Sequence, residues 1–181
     1  MNTHAGVVDE GWAATERTMA ATGDPLLYSV LDYWDHLRGS RAMPRRREID
    51  PIALPRPSLP HLFLVRVEGN CFRFGLVGTS IEQHFGTSLG GHLVQEVPFG
   101  ADGAASLAQY LVTVETQRPT YREHEFVNRQ AVAQYCRRLL LPLSADGMTV
   151  TDLLGIWVFL PRRPWSRRLH GFRANRRRAH S

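Results

Sequence analysis

His124-Glu125-Phe126-Val127-Asn128 is the first place where this chain has residues that could do chemistry. Two histidines four apart on a helix, with a glutamate after the first, hold zinc and activate water. Here the second histidine position is Asn128 and the stretch has the pattern of a strand, so no metal is expected. His84 and His92 flank a glycine-rich turn and have two readings: they line a pocket, or they are capped, half-buried surface histidines. Glu123 and Glu125 share one face of their strand, and Arg137 and Arg138 lie on the neighbouring one. These form cross-strand ion pairs, each contributing no more than about 1 kcal/mol when exposed, or they offer an arginine to a ligand carboxylate. GxSxG, P-loop and GxGxxG patterns are absent, as is any carboxylate pair set for acid–base work. The expectation is a binding module with no catalytic residues.

Composition sets the frame around those residues. A chain of 181 residues, 43% hydrophobic and 22% charged, is enough for one soluble domain with a full core and too short for two of ordinary size. No apolar run approaches the roughly 18–20 residues of a membrane span. The Met1-Asn2-Thr3-His4 start lacks the basic and apolar regions of a secretion signal. Cys71 and Cys136 show no metal-type spacing, so free thiols and a cytoplasmic location are expected.

The net charge of +5 is unevenly distributed. All 22 basic residues are arginine, and eight of them follow Pro161, where no acidic residue occurs. Residues 1–161 hold fourteen arginines against seventeen carboxylates, a charge of −3. The absence of lysine suits a GC-rich genome. In the tail, Arg162, Arg163, Arg167, Arg168, Arg173, Arg176, Arg177 and Arg178 surround Trp165, Leu169 and Phe172, which would share one helical stripe. Weak, non-specific contact with an anionic membrane or nucleic acid is one reading. A disordered solubilising tail is the other, since Gly171 and the short length make an isolated helix marginal.

The elements that must position these residues follow from periodicity. Residues 1–23 read as a mobile arm. Asp24-Pro25 caps a helix whose apolar stripe includes Leu26, Val30, Trp34 and Leu37, closed by Gly39. Residues 40–60 carry five prolines, which allows an extended connector with one short turn after Asp50-Pro51. Strands are predicted at His61–Glu68, Phe72–Gly78, Tyr121–Asn128, Gln134–Ser144 and Val150–Leu160. A short helix at Ser80–Phe85 and a long one at Ala101–Gln117 separate the second from the third. Both faces of the first and last strands are apolar, so both need cover. The domain's own helices cover one; the helix at 25–38 or a second copy of the chain must cover the other.

The linked residues Trp34…Leu37-Arg38-Gly39…Met43-Pro44-Arg45-Arg46…Ile49-Asp50-Pro51, then Leu59-Pro60-His61 and Leu76-Val77-Gly78-Thr79, resemble a family of single-domain PAS proteins common in alphaproteobacteria. The resemblance runs from about Leu26 to Leu160. It implies an α+β PAS fold, a five-stranded antiparallel sheet with helices on one face plus an N-terminal helix, with a sensory or protein-interaction role and no reaction. The implied organisation is an arm (1–23), helix and connector (24–60), PAS core (61–161) and basic tail (162–181). Where such domains bind haem through histidine, the ligand is commonly on the long helix; Ala101–Gln117 contains no histidine. Gly69-Asn70-Cys71 is similar to the Asn-Cys pair that forms a flavin adduct in light-sensing domains, but there the cysteine sits on a short helix after the second strand. Histidine-ligated haem and cysteinyl-flavin are therefore both disfavoured, and the cofactor is left unassigned.

Two functions remain in view. In the first, a cavity between sheet and helices holds a small apolar or amphipathic ligand, with Phe74, Leu76, His84, Phe85, Tyr110, Leu139, Leu141 and Trp157 as candidate lining. In the second, the core is filled by its own side chains and the domain is a pure interaction module. Leu26, Val30, Trp34 and Leu37 are the expected interface with a homodimer mate or a signalling partner. With no kinase, cyclase or DNA-binding domain in these 181 residues, output is expected to pass through that partner.

Overall fold

Asp24 opens the helix α1 (Pro25–Arg38) by accepting a 3.1 Å hydrogen bond from the Leu26 N–H. Pro25 occupies the first turn, where its missing N–H is no loss. Gly39 ends the helix with a φ of 56°, which glycine adopts without strain. The structure, a computed structural model, describes residues 16–17, 19–97, 103–127 and 132–160. Met19 is fully buried, and the Thr22 N–H bonds back to its carbonyl at 2.9 Å. The expected arm is therefore anchored before it reaches residue 23.

The connector is more ordered than its prolines suggested. Besides the turn at Asp50, where the Ala53 N–H meets the Asp50 carbonyl at 3.1 Å, it forms 3₁₀ turns at Arg46–Glu48 and Arg56–His61. Pro57 sits near the start of the second, where N–H groups lack helical partners in any case. Met43, Ile49 and Leu54 pin the connector into the core.

Five strands follow: β1 (Leu62–Glu68), β2 (Cys71–Val77), β3 (Thr120–Val127), β4 (Ala133–Ser144) and β5 (Val150–Leu160). Between β2 and β3 lie α2 (Thr79–Phe85), a 3₁₀ turn at Val94–Glu96, and α3 (Gly103–Thr116). The antiparallel sheet has the order β2-β1-β5-β4-β3. The five predicted strands and the two predicted helices between them are all present, with ends shifted by a residue or two.

Register assigns each side chain to a face. Phe63 pairs with Gly155, Arg138 with Trp157, and Cys136 with both His124 and Phe159; these face α2 and α3. Leu139 pairs with Ile156 and Leu141 with Leu154, on the opposite face. That far face is covered by α1, packed on β4 and β5. Leu27, Val30 and Trp34 are buried there, while Leu26 and Leu37 are half-buried. Val30 and Trp34 are thus spent on the protein's own sheet and do not form an intermolecular interface in this fold. Of the two ways to cover the far face, the chain uses its own helix.

Candidate functional site

Arg138 is the most informative side chain on the helix face. It is completely buried, although its neighbour Arg137 points to the far face as strand alternation requires. Its Nε donates to Gln109 Oε1 at 2.8 Å, one terminal nitrogen to Ser106 Oγ at 2.8 Å, and the other to the Ser106 carbonyl at 3.0 Å. Helix α3 brings Ser106, Gln109, Tyr110 and Thr113 onto one buried face, since positions three and four apart stack. Gln109 also donates to the carbonyls of Thr120 (3.0 Å) and Arg138 (3.3 Å), which ties α3 to the sheet. Buried charge is tolerated when its donors are used in this way.

Aromatic rings and a second polar pair complete the region. The Arg138 guanidinium lies 4.7 Å from the centre of the Tyr110 ring and 5.4 Å from that of Trp157. Tyr110 is fully buried, and its hydroxyl has no hydrogen-bond partner among the described residues. Burial pushes its pKa up to about 12, against the opposing pull of Arg138. On β3, His124 places Nε2 3.2 Å from Cys136 Sγ. Burial, together with the nearby cations Arg138 and Arg122, lowers the His124 pKa to about 3, so its imidazole is neutral. Trp157 stacks on Phe63 at 4.6 Å and touches Phe85 at 5.2 Å and Phe74 at 6.3 Å.

The residues expected to line a pocket are therefore divided by the sheet. Phe74, Phe85, Tyr110 and Trp157 share the helix face. His84 lies at its margin on α2, its ring 3.9 Å from that of Phe159 and its Nδ1 2.7 Å from the Ser80 carbonyl. Leu139 and Leu141 are buried on the far face under α1, and Leu76 is 58% exposed. These three leucines are not neighbours of Trp157: Leu139 and Leu141 alternate with Arg138, the cross-strand partner of Trp157, and a bulge in β2, where Val77 pairs with Phe63 but Phe74 with Val65, turns Leu76 off the face that holds Phe74. Ser106 and Gln109 carried no signal in the sequence, while His124 and Cys136 were weighed only as metal ligands and Arg138 only as an ion-pair partner or a contact for a ligand carboxylate. The ion-pair reading holds for Arg137, whose Nε is 3.1 Å from Glu123 and which also reaches Asp24 at 3.5 Å; it fails for the inward-turned Arg138.

Cys71 is the first residue of β2 and alternates with the inward Phe72, so it faces away from α2 and α3. It does not fit a flavin-adduct role. No histidine lies on α3. Among the described residues, no group of three His, Cys, Asp or Glu side chains is placed to hold a metal, and no helix is long and apolar enough to cross a membrane. The arginine-rich segment from Arg162 lies outside the described residues.

Comparison with known proteins bears on these features. No curated protein matches the chain. Among solved structures, the PAS domain of a Colwellia psychrerythraea protein superimposes with a TM-score of 0.52 at 14% identity, over 63% of this chain and 100% of that one. The LOV protein of Rhodobacter sphaeroides gives 0.49 at 15% identity, over 57% and 61%. The PAS domain of Bordetella pertussis BvgS gives 0.45 at 18%, over 57% and 79%. At such identities the first of these speaks for the fold alone. The PAS-domain family model matches residues 24–158, and the chain belongs to that family, whose members are sensory and generally non-catalytic modules.

Proposed function

We propose that this protein is a non-enzymatic sensory module that binds a small amphipathic molecule between α3 and the sheet. The carrying observation is the Tyr110 hydroxyl, buried without a hydrogen-bond partner among the described residues. Such an orphaned group costs about 1–3 kcal/mol, which a bound polar atom offsets. Around it stand Phe72 and Trp157 as apolar walls, with Arg138 and the His124–Cys136 pair as the polar groups. Aromatic walls with a few fixed polar groups are the usual make-up of a small-molecule site. Occupancy shifts α3 against the sheet, and the response leaves through the outward side of α1, where Leu26 and Leu37 border the contact with a homodimer mate or signalling partner. The tail arginines Arg162, Arg163, Arg167, Arg168, Arg176, Arg177 and Arg178 add weak, salt-dependent attraction to polyanions; truncation at Pro161 abolishes retention on anionic vesicles and duplex DNA at low salt.

Native mass spectrometry of freshly purified protein tests the sensory reading. The expected result is a retained small molecule that Tyr110→Phe loses. A second reading, an interaction module with a self-filled core, is favoured by the stack of Phe63 on Trp157 with Phe74 and Phe85 against it. A clean apo mass, with Tyr110→Phe changing nothing but a small gain in melting temperature, decides for that second reading.

A further inference from the structure

α1 and the connector leave a groove of ≈ 580 Å³ open on the far face, between the connector and strands β1, β2 and β5. This groove lies on the other side of the sheet from Tyr110 and Arg138. Its floor is graded. Leu62 and Leu64 of β1 stand beside Ile156 and Leu154 of β5, and two residues further along β1 Arg66 stands between Arg73 and Asp152. From Leu62 to Arg66 the floor passes from hydrocarbon to cation over about 13 Å. The apolar end is widened by Gly75, where an added Cβ would meet only the Leu64 carbonyl at 3.6 Å. Leu76 and Leu59 line that end at 58% and 37% exposure, and Ile52, next to the lining residue Pro51, is 88% exposed. Two of the six large apolar side chains exposed among the described residues thus line this groove, and a third is the chain neighbour of a lining residue.

The cationic end is incompletely neutralised. Arg73 pairs with Glu68 at 3.0 Å and donates to the Gly91 carbonyl at 2.9 Å; Arg46 reaches Asp152 at 3.9 Å. Arg66 has no carboxylate within 4 Å and no side-chain hydrogen bond among the described residues; it acts on Glu68 only at longer range, and it stands directly opposite Arg73. Like charges opposed across a strand pair are unfavourable unless an anion sits between them. A short apolar trough ending in a spare guanidinium has the shape of a molecule with an alkyl tail and an anionic head.

We infer that the groove binds a free, single-chain carboxylate amphiphile of the fatty-acid type. The carboxylate accepts hydrogen bonds from Arg66, flanked by Arg73 and Arg46, and the alkyl chain lies over Gly75 and Leu64 toward Leu59 and Leu76. The volume is that of a small-molecule site, roughly 300–1,000 Å³.

Calorimetric titration of the full chain with dodecanoate, below its micellar concentration, tests this. Saturable one-to-one binding is expected, weakened about tenfold or more by Arg66→Gln through loss of a charge-assisted hydrogen bond, and abolished by Gly75→Leu. Leu76→Asp, at an exposed position, serves the same purpose should Gly75→Leu melt the fold. Arg47→Gln, at an exposed arginine outside the groove, leaves affinity unchanged. Equal binding of dodecyltrimethylammonium, or equal weakening by Arg47→Gln, overturns the proposal, because attraction is then hydrophobic or diffuse. Binding to phosphatidylglycerol vesicles without binding to free dodecanoate overturns it in favour of a membrane surface. A dimer in light scattering that Gly75→Leu splits overturns it in favour of a second copy of the chain. Dodecanoate binding untouched by all groove substitutions places the ligand elsewhere and also overturns it.

Discussion

The indole Nε1 of Trp34 donates a 2.9 Å hydrogen bond to the main-chain carbonyl of Pro142, 108 positions later, and this buried bond fastens α1 to the far face of the sheet. Trp34→Phe keeps most of the packing and orphans the carbonyl, at an expected cost of about 1 kcal/mol. Trp34→Ala removes the packing as well and is expected to cost about 3–5 kcal/mol. Urea unfolding followed by circular dichroism measures both. Equal stability of wild type and Trp34→Ala would mean that α1 is not seated on the sheet.

Gly155 gives a sharper steric test. A Cβ at this position would fall within the Phe63 ring, which lies over the glycine as it stacks on Trp157. Gly155→Ala should therefore destabilise the domain by about 1–3 kcal/mol through overpacking. Phe63→Leu in the same chain should recover part of the loss, and a double-mutant cycle reports the coupling. Additive effects would contradict the contact.

Much of this architecture was legible in the sequence because apolar runs, proline stops and helix caps act locally. Asp24-Pro25, Gly39 and the strand runs needed nothing beyond their neighbours. The candidate site was not legible, because it depends on parity. In a sheet with one wet face, an arginine identifies the outside; here Leu139 and Leu141 on one face are as apolar as Leu140 and Trp157 on the other. Arg137 and Arg138 then look alike, and only register with β5 turns one outward to Glu123 and the other inward to Ser106 and Gln109. The same ambiguity put Leu139 and Leu141 among the pocket candidates. The Arg56–His61 3₁₀ turn was hidden for another reason, since its prolines argue against α-helix and say little about tighter turns.

Arg138 should tolerate no conservative exchange. Arg138→Lys offers one compact ammonium where a planar fork makes three hydrogen bonds, and it leaves Gln109 Oε1 or the Ser106 carbonyl without a donor. A loss of about 3 kcal/mol is expected for Arg138→Lys and a similar loss for Arg138→Met. Guanidinium chloride denaturation provides the measurement; wild-type stability in Arg138→Met would show the buried charge to be dispensable.

His124 predicts a pH dependence. Its pKa is about 3 when folded and about 6.5 in the unfolded chain, so between these values the unfolded chain binds a proton that the native state refuses. Stability from this group is complete above pH 6.5 and declines as pH falls, by up to about 1.4 kcal/mol per unit. Between pH 6.5 and 5 the comparison of wild type with a His124 variant isolates this contribution. His124→Gln should flatten the stability profile in that window; an unchanged slope rules the histidine out as its source.

The end of β4 carries a consequence for solubility. β3 stops pairing at Thr120 opposite Leu140, so residues 141–144 have a strand neighbour only in β5, and their other side is a sheet edge. An open edge templates pairing with other chains. Here three of the edge's groups are withdrawn: Pro142 has no N–H, its carbonyl is taken by Trp34, and the Ser144 N–H is bound to the Pro44 carbonyl at 3.1 Å. α1 and the connector therefore act as a plug on an adhesive edge as well as a cover for apolar surface. Their removal should yield ordered, dye-binding assemblies rich in β-structure instead of amorphous precipitate, and restoring them as a separate peptide should suppress that assembly.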